Sequence, residues 1–247
     1  MNNITITTLK IILFPAQRKT GKEPRLYDAE WVRETVNMLY NRKKESFRTV
    51  GVLTDLFHNH DEKSQQTIVR YPLIQYHAND GELFVVGINE GGEALQLMAD
   101  LYENVVPLHS DLYVKIEMVE KRQHEVCETS NKCRYRLKDY IPFSSDAYKE
   151  FGALVYLKEK TDYIAAKIEN HILKDFAKHL NLPLNAAKVE IVDIVSLHRP
   201  KVVVQVNKHR HDFQPFDLVF DTAVDLPAGL CLGNGKTYGY GLVERIS

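Results

Sequence analysis

The chain is 247 residues long, room for one large domain or two of about 100–150 residues. Its 32 Lys and Arg nearly cancel 33 Asp and Glu, for a formal charge of −1. That balance excludes a globally basic nucleic-acid binder and leaves any RNA site to a local patch.

Three cysteines, an odd number in a chain of this size, argue against a disulfide frame and point to reduced thiols and a cytoplasmic protein. Residues 1–14 show no basic leader, and their apolar run is too short to span a bilayer, so no membrane partner is expected. They alternate instead, with Ile4, Ile6 and Thr8 on one face of a first strand. Asp28 is placed to cap a helix beginning at Ala29, in which Trp31, Val32, Thr35, Val36 and Leu39 recur at helical spacing. Arg42-Lys43-Lys44 at its end suits the helix dipole better than a ligand. Strands over 66–77 and 82–89 follow, joined by the turn signal Asn79-Asp80-Gly81. Glu90-Gly91-Gly92-Glu93 opens a second helix to about residue 102, and 112–119 reads as a fourth strand. Strand, helix, strand, strand, helix, strand is the ferredoxin-like order, shared with RNA-recognition motifs.

The second half is less regular. Strands are predicted at 133–141, 188–197, 201–207, 217–220 and 238–246, with His198-Arg199-Pro200 as a turn. One helix is clear, over 162–180, where Ile164, Ile168, Ile172 and Phe176 form a core stripe. The predicted fold is α+β, with tandem ferredoxin-like (RRM-like) domains at 1–107 and 108–247.

Candidate chemistry is sparse. His124, Cys127 and Cys133 lack the Cys-x-x-Cys pair of a structural zinc site. His58-Asn59-His60-Asp61 lies in polar sequence after the first helix. Two histidines at this spacing suit metal chelation with Asp61, or acid–base work, since an unperturbed pKa of about 6.5 lets one be neutral and one charged. Lys132, Arg134, Arg136 and Lys138 alternate, which puts four cations on one strand face. An unpaired row of that kind makes best sense facing an anion; the alternative is an edge strand guarded against aggregation. A second acid-free run, 194–211, holds Arg199, Lys201, Lys208 and Arg210.

The tail is the most distinctive stretch: five of the 12 glycines fall within Gly229–Gly241. Gly235-Lys236-Thr237 has the ending of a nucleotide P-loop, but the required first glycine would be position 230, which is Leu230, and no helix pattern comes after it. Asn234-Gly235 alone would make a hairpin turn and leave three glycines unexplained.

Leu232-Gly233-Asn234-Gly235-Lys236-Thr237-Tyr238-Gly239-Tyr240-Gly241 resembles, without a gap, the glycine-rich C-terminal loop of the CRISPR repeat-RNA-processing endoribonucleases of the RAMP superfamily. His58-x-His60, then Arg70-Tyr71-Pro72-Leu73-Ile74-Gln75-Tyr76 and Val86-Gly87-Ile88-Asn89-Glu90-Gly91, resemble one branch of it, with Val69 where that branch has a tyrosine. The resemblance implies CRISPR repeat RNA as partner and cleavage without metal or other cofactor, by 2′-OH attack, to 2′,3′-cyclic phosphate and 5′-OH ends. It implies His58 and His60 as catalytic residues, with Tyr71 standing in for the missing tyrosine. RNA contacts are expected at Lys132, Arg134, Arg136, Arg199, Gly233, Gly235, Lys236 and Tyr238. The rival reading is a guide-RNA-binding subunit of the same superfamily that cuts nothing; a metal-dependent hydrolase using His58, His60 and Asp61 is a remoter one. Oligomeric state, a homodimer included, is not fixed by the sequence.

Overall fold

The computed structural model describes residues 2–15, 28–52, 54–57, 70–79, 81–109, 112–143, 145–196, 202–206 and 209–246. The chain divides into two compact units, 4–124 on one side and 1–3 with 125–247 on the other. The expected boundary at 107 falls inside a strand of the first sheet, so the division comes later than the sequence suggests.

The first unit runs β1 (Asn3–Pro15), α1 (Ala29–Arg42), α2 (Lys44–Thr49), β2 (Ile74–Asn79), β3 (Glu82–Ile88), α3 (Glu90–Leu101), β4 (Val106–His109) and β5 (Leu112–Glu125). Its sheet order is β2-β3-β1-β5-β4. The first four of these are the ferredoxin-like sheet, and β4 is an added edge strand paired antiparallel to β5. Asp28 caps α1 as expected, its carboxylate accepting the Trp31 N–H at 2.8 Å. At the other end Arg42 donates to the carbonyls of Pro107 (2.6 Å) and Leu108 (3.1 Å). Its basic side chain thus holds β4 to the helix end. Asn79 pairs with Glu82, which leaves a two-residue hairpin whose Gly81 has φ +80°. Leu9 and Ile11 of β1, Ile74 and Tyr76 of β2, and Leu83 and Val85 of β3 share one buried cluster with Val32, Val36 and Leu39 of α1 and Leu95 and Met98 of α3.

The second unit contains β6 (Glu128–Tyr140), α4 (Ser145–Ala153), α5 (Leu157–Asn170), β7 (Glu190–Ser196), a hairpin of β8 (Val202–Val206) and β9 (His209–Phe213), β10 (Phe216–Val224) and β11 (Leu242–Arg245). Its main sheet is ordered β11-β6-β10-β7. Taking β6, β7, β10 and β11 as strands one to four, that is again the ferredoxin-like order 4-1-3-2. The second helix of the repeat is missing among the described residues. Between β10 and β11 runs the glycine-rich segment instead, with a single 3₁₀ turn at Lys236–Tyr238. The sequence shows no helical pattern there because the position holds no helix. Residues 238–241, expected as strand, belong to that turn and to the irregular chain leading into β11.

Helix α5 continues through His171–Ala177 in π turns. The core stripe explains why such a turn is tolerated. On an α-helix each step of four residues rotates about 40°, so Ile164, Ile168, Ile172 and Phe176 would spiral off one face. Wider i→i+5 turns rotate the later steps back, and all four side chains are fully buried.

Close approach of α3 to the strands depends on Gly91, where a Cβ would lie 2.1 Å from the Leu73 carbonyl oxygen. Gly91→Ala should therefore destabilise the protein by about 1–3 kcal/mol, as overpacking does, against the roughly 1 kcal/mol that alanine normally gains over glycine in a helix. Urea unfolding midpoints of the two proteins measure the sign.

Candidate functional site

His58 and His60 lie outside the described residues, as do Asp61 and Val69. The two flanks of segment 58–69 are well defined. On the entry side Phe57 is 1% exposed, stacks on Tyr40 with ring centroids 4.6 Å apart, and accepts a hydrogen bond from the Tyr76 hydroxyl at 3.1 Å through its carbonyl. On the exit side Arg70 reaches back to Asp55, with Nη1 3.2 Å from Oδ2. Both ends of the segment are thus fixed to one core. Asp55 gives no signal in the sequence, since its role depends on a partner across the segment. Tyr71 is a core residue, 1% exposed.

The row of cations on β6 is not the unpaired row expected. β6 lies between β11 and β10, so it is no edge strand either. Arg134 stands opposite Asp221 of β10 and binds it through two hydrogen bonds, Nε to Oδ1 at 2.7 Å and Nη2 to Oδ2 at 3.0 Å. The guanidinium bond and charge hold the Asp221 carboxyl below its usual range. Lys132 pairs with Glu190 of β7, and Lys138 with Glu244 of β11 at 2.6 Å. Arg136 faces Glu244 in register, and its buried Nε has no hydrogen-bond partner among the described residues. Acids on β7, β10 and β11 thus pair with Lys132, Arg134 and Lys138, so these three are not the unpaired cations on which the assignment of the row to RNA rests. Arg199 lies outside the described residues.

The glycine-rich segment is held by its backbone. Gly233, Gly235, Gly239 and Gly241 all have φ between +71° and +92°, a region in which a Cβ is unfavourable. The Gly241 N–H reaches the carbonyls of Lys138 (3.0 Å) and Asp139 (3.1 Å), and its carbonyl accepts the Leu232 N–H at 2.9 Å. A Cβ at Gly241 would lie 1.9 Å from the Leu232 oxygen, and one at Gly233 would lie 2.7 Å from the Tyr140 ring. These glycines are therefore not idle; folding alone requires them. Asp139, in the irregularity where β6 and β10 shift register, has φ +51°, and its N–H donates to buried Asp217 at 2.8 Å.

Lys236 folds back into the loop. Its ammonium donates to the Gly233 carbonyl at 2.9 Å and lies 2.6 Å from Asp175 Oδ2 in the π segment of α5. One turn earlier, His171 Nδ1 and the Tyr140 hydroxyl share a hydrogen bond of 2.7 Å. Burial, helped by Lys236 and Lys167 and opposed by Asp175, lowers the His171 pKa to about 4. Tyr238 is half-buried and its N–H is bonded to Gly235. Among the described residues no group of three or more His, Cys, Asp or Glu could hold a metal ion, and no helix is long and apolar enough to cross a membrane.

This geometry sets three expected outcomes. Gly241→Ala should lower stability by about 2–4 kcal/mol, combining overpacking with the left-handed penalty, as read from denaturant unfolding. Arg134→Ala, which strands a nearly buried carboxylate, should lower the thermal midpoint by more than Lys132→Ala, whose partner is exposed. His77 is, like His171, depressed to about 4 by burial. A histidine kept neutral by the fold contributes its full stability above about pH 6.5, where the unfolded chain is also neutral, and loses it as pH falls from 6.5 toward 4. Unfolding free energy should therefore drop between pH 7 and pH 5, above the carboxylate range, and His77→Leu should flatten that slope.

Residues 6–125 match the family model of the Cas6b N-terminal domain, close to the limits of the first unit. No curated protein matches the chain. Among solved structures, a crystal structure of Cas6b superposes with a TM-score of 0.71 at 14% identity, over 99% of this chain and 100% of that one. A CRISPR RNA processing endoribonuclease Cas6b gives 0.57 at 14% identity, over 98% and 100%. Csf5, a CRISPR-Cas type IV Cas6 crRNA endonuclease, gives 0.53 at 14%, over 98% and 100%. The resemblance seen in the motifs thus extends to the fold of the whole chain, and residues 6–125 are similar to the Cas6b N-terminal domain.

Proposed function

We propose that the protein is a metal-independent endoribonuclease that cuts CRISPR repeat RNA in the cytoplasm. The observation that carries this is the placement of His58 and His60. They are the one pair of histidines two residues apart within the stretch matching the Cas6b N-terminal domain, on a segment whose flanks are fixed to the core. The processing activity named for the similar Cas6b and Csf5 structures supports the substrate class.

RNA carries its own nucleophile. One imidazole takes the proton from the 2′-OH, whose oxygen attacks the adjacent phosphorus; the other gives a proton to the departing 5′ oxygen. The products are a 2′,3′-cyclic phosphate and a 5′-OH. Neither step needs an added oxidant, metal or water. Backbone N–H groups of the glycine-rich loop, with Gly233, Gly235, Lys236 and Tyr238, line the RNA backbone in this reading.

Labelled repeat RNA should be cut in EDTA, and left intact when the nucleotide 5′ of the cut carries a 2′-deoxy sugar. Strict metal dependence would favour the hydrolase reading. His58→Ala or His60→Ala should slow single-turnover cleavage by about 10²–10⁴-fold with RNA affinity little changed. Tight binding with no cleavage by the unaltered protein would instead assign it to the non-cutting RNA-binding subunits.

A further inference from the structure

We infer that the π segment of helix α5 is the mount of the glycine-rich loop, with Asp175 and His171 as positioning residues that act on RNA binding without touching RNA. This role rests on the proposed function, in which that loop lies on the RNA backbone.

Besides its backbone bonds to residues 138–141, two side-chain attachments hold the loop, and they meet it at different places. Asp175 Oδ2 holds the Lys236 ammonium at 2.6 Å, and the same ammonium closes the loop on itself through the Gly233 carbonyl at 2.9 Å. Lys236 is 16% exposed at its side chain, so this cation is largely committed inside the protein. His171 Nδ1 and the Tyr140 hydroxyl share a hydrogen bond of 2.7 Å, which fixes the fully buried Tyr140 ring. That ring is the surface on which Gly233 rests, close enough that a Cβ there would come within 2.7 Å of it. The loop has no regular structure of its own beyond one 3₁₀ turn. Its glycines also widen the conformations open to it when detached. Holding it in one arrangement needs contacts from outside, and beyond the backbone bonds to 138–141 both side-chain attachments come from one stretch of seven residues in π conformation, a geometry that recurs at functional sites.

A carboxylate beside a phosphate site would by charge alone weaken RNA binding. A latch of that kind, with Asp175 masking Lys236 until RNA displaces it, predicts that removing Asp175 tightens binding. The mount predicts the reverse. Two attachment points, one of them uncharged and reaching the loop through an aromatic ring, fit a mount and not a latch.

The test uses the full chain. In Asp175→Ala, amide hydrogen exchange of Gly233–Gly241 in the RNA-free protein should rise at least about tenfold. The dissociation constant for repeat RNA should rise roughly tenfold, while the single-turnover rate at saturating RNA stays near its original value. Asp175→Glu should restore both. Lys236→Ala should weaken binding to a similar degree, and the double variant should be no worse than either single one, the signature of residues that act as a unit. His171→Phe, which keeps an aromatic ring and removes the hydrogen bond, should raise exchange at Gly233 in the same way. Unchanged exchange in Asp175→Ala overturns the mount, whatever RNA binding does. Tighter binding in that variant overturns it in favour of the latch. Raised exchange with unchanged RNA affinity in both Asp175→Ala and Lys236→Ala leaves the loop mounted but off the RNA, which overturns the positioning role and the RNA-loop reading beneath it together.

Discussion

Everything unusual in the second unit depends on the absence of side chains at Gly233 and Gly241. A ferredoxin-like repeat normally crosses from its third strand to its fourth through a helix, whose backbone hydrogen bonds are satisfied internally. Here the crossing is made by irregular chain, so its polar backbone groups need partners elsewhere. They find them on the end of β6: Gly241 bonds to Lys138 and Asp139, Asn234 to Ile141, and Leu232 to Gly241. Those bonds require the chain to lie flat on Tyr140 and on its own Leu232 carbonyl, at distances that no Cβ permits. The loop is thus a replacement for a helix before it is anything else, and its availability to a ligand stems from that replacement.

The same dependence explains why the tail is legible by resemblance and opaque by mechanism. Glycine spacing marks a backbone pattern, and a pattern can be matched from sequence alone. What the loop does cannot be read there, because the groups it meets, Tyr140 under Gly233 and Asp175 beside Lys236, are distant in sequence. The row on β6 misleads for a related reason. Alternation puts Lys132, Arg134, Arg136 and Lys138 on one face, but the partners of Lys132, Arg134 and Lys138, which are Glu190, Asp221 and Glu244, belong to strands whose register no local signal gives. Neutral overall charge is the clue. With 33 acids for 32 bases, a one-sided basic row is more often matched across strands than left open.

Local signals serve the first unit well. Asp28 before Trp31 is a cap with a mechanism, and Asn79-Asp80-Gly81 a turn with one, so α1, β2 and β3 fall near their expected places. β4 and α4 escape sequence reading because each is short and takes its stability from contacts made elsewhere, β4 from β5 and from Arg42. The boundary at 107 is misplaced for that reason, since a strand too short to announce itself reads as a linker.

The histidines narrow in a way that composition could not show. Ten are present, and any pair could supply the acid and base of RNA cleavage. Two are withdrawn by burial. His77 lies flat on Phe84, with ring centroids 4.6 Å apart, and His171 lies against Tyr140; both titrate at about 4. A general acid must be protonated, and a base regenerated, near the working pH. A group that holds its proton only below about 4 does neither efficiently at neutrality, however well placed. His77 directly follows Arg70–Tyr76, a stretch that resembles the repeat-processing enzymes, and would otherwise compete for the role. Burial disqualifies it on energetic grounds. The acid–base role proposed for His58 and His60 rests on their spacing, the feature that first suggested that chemistry.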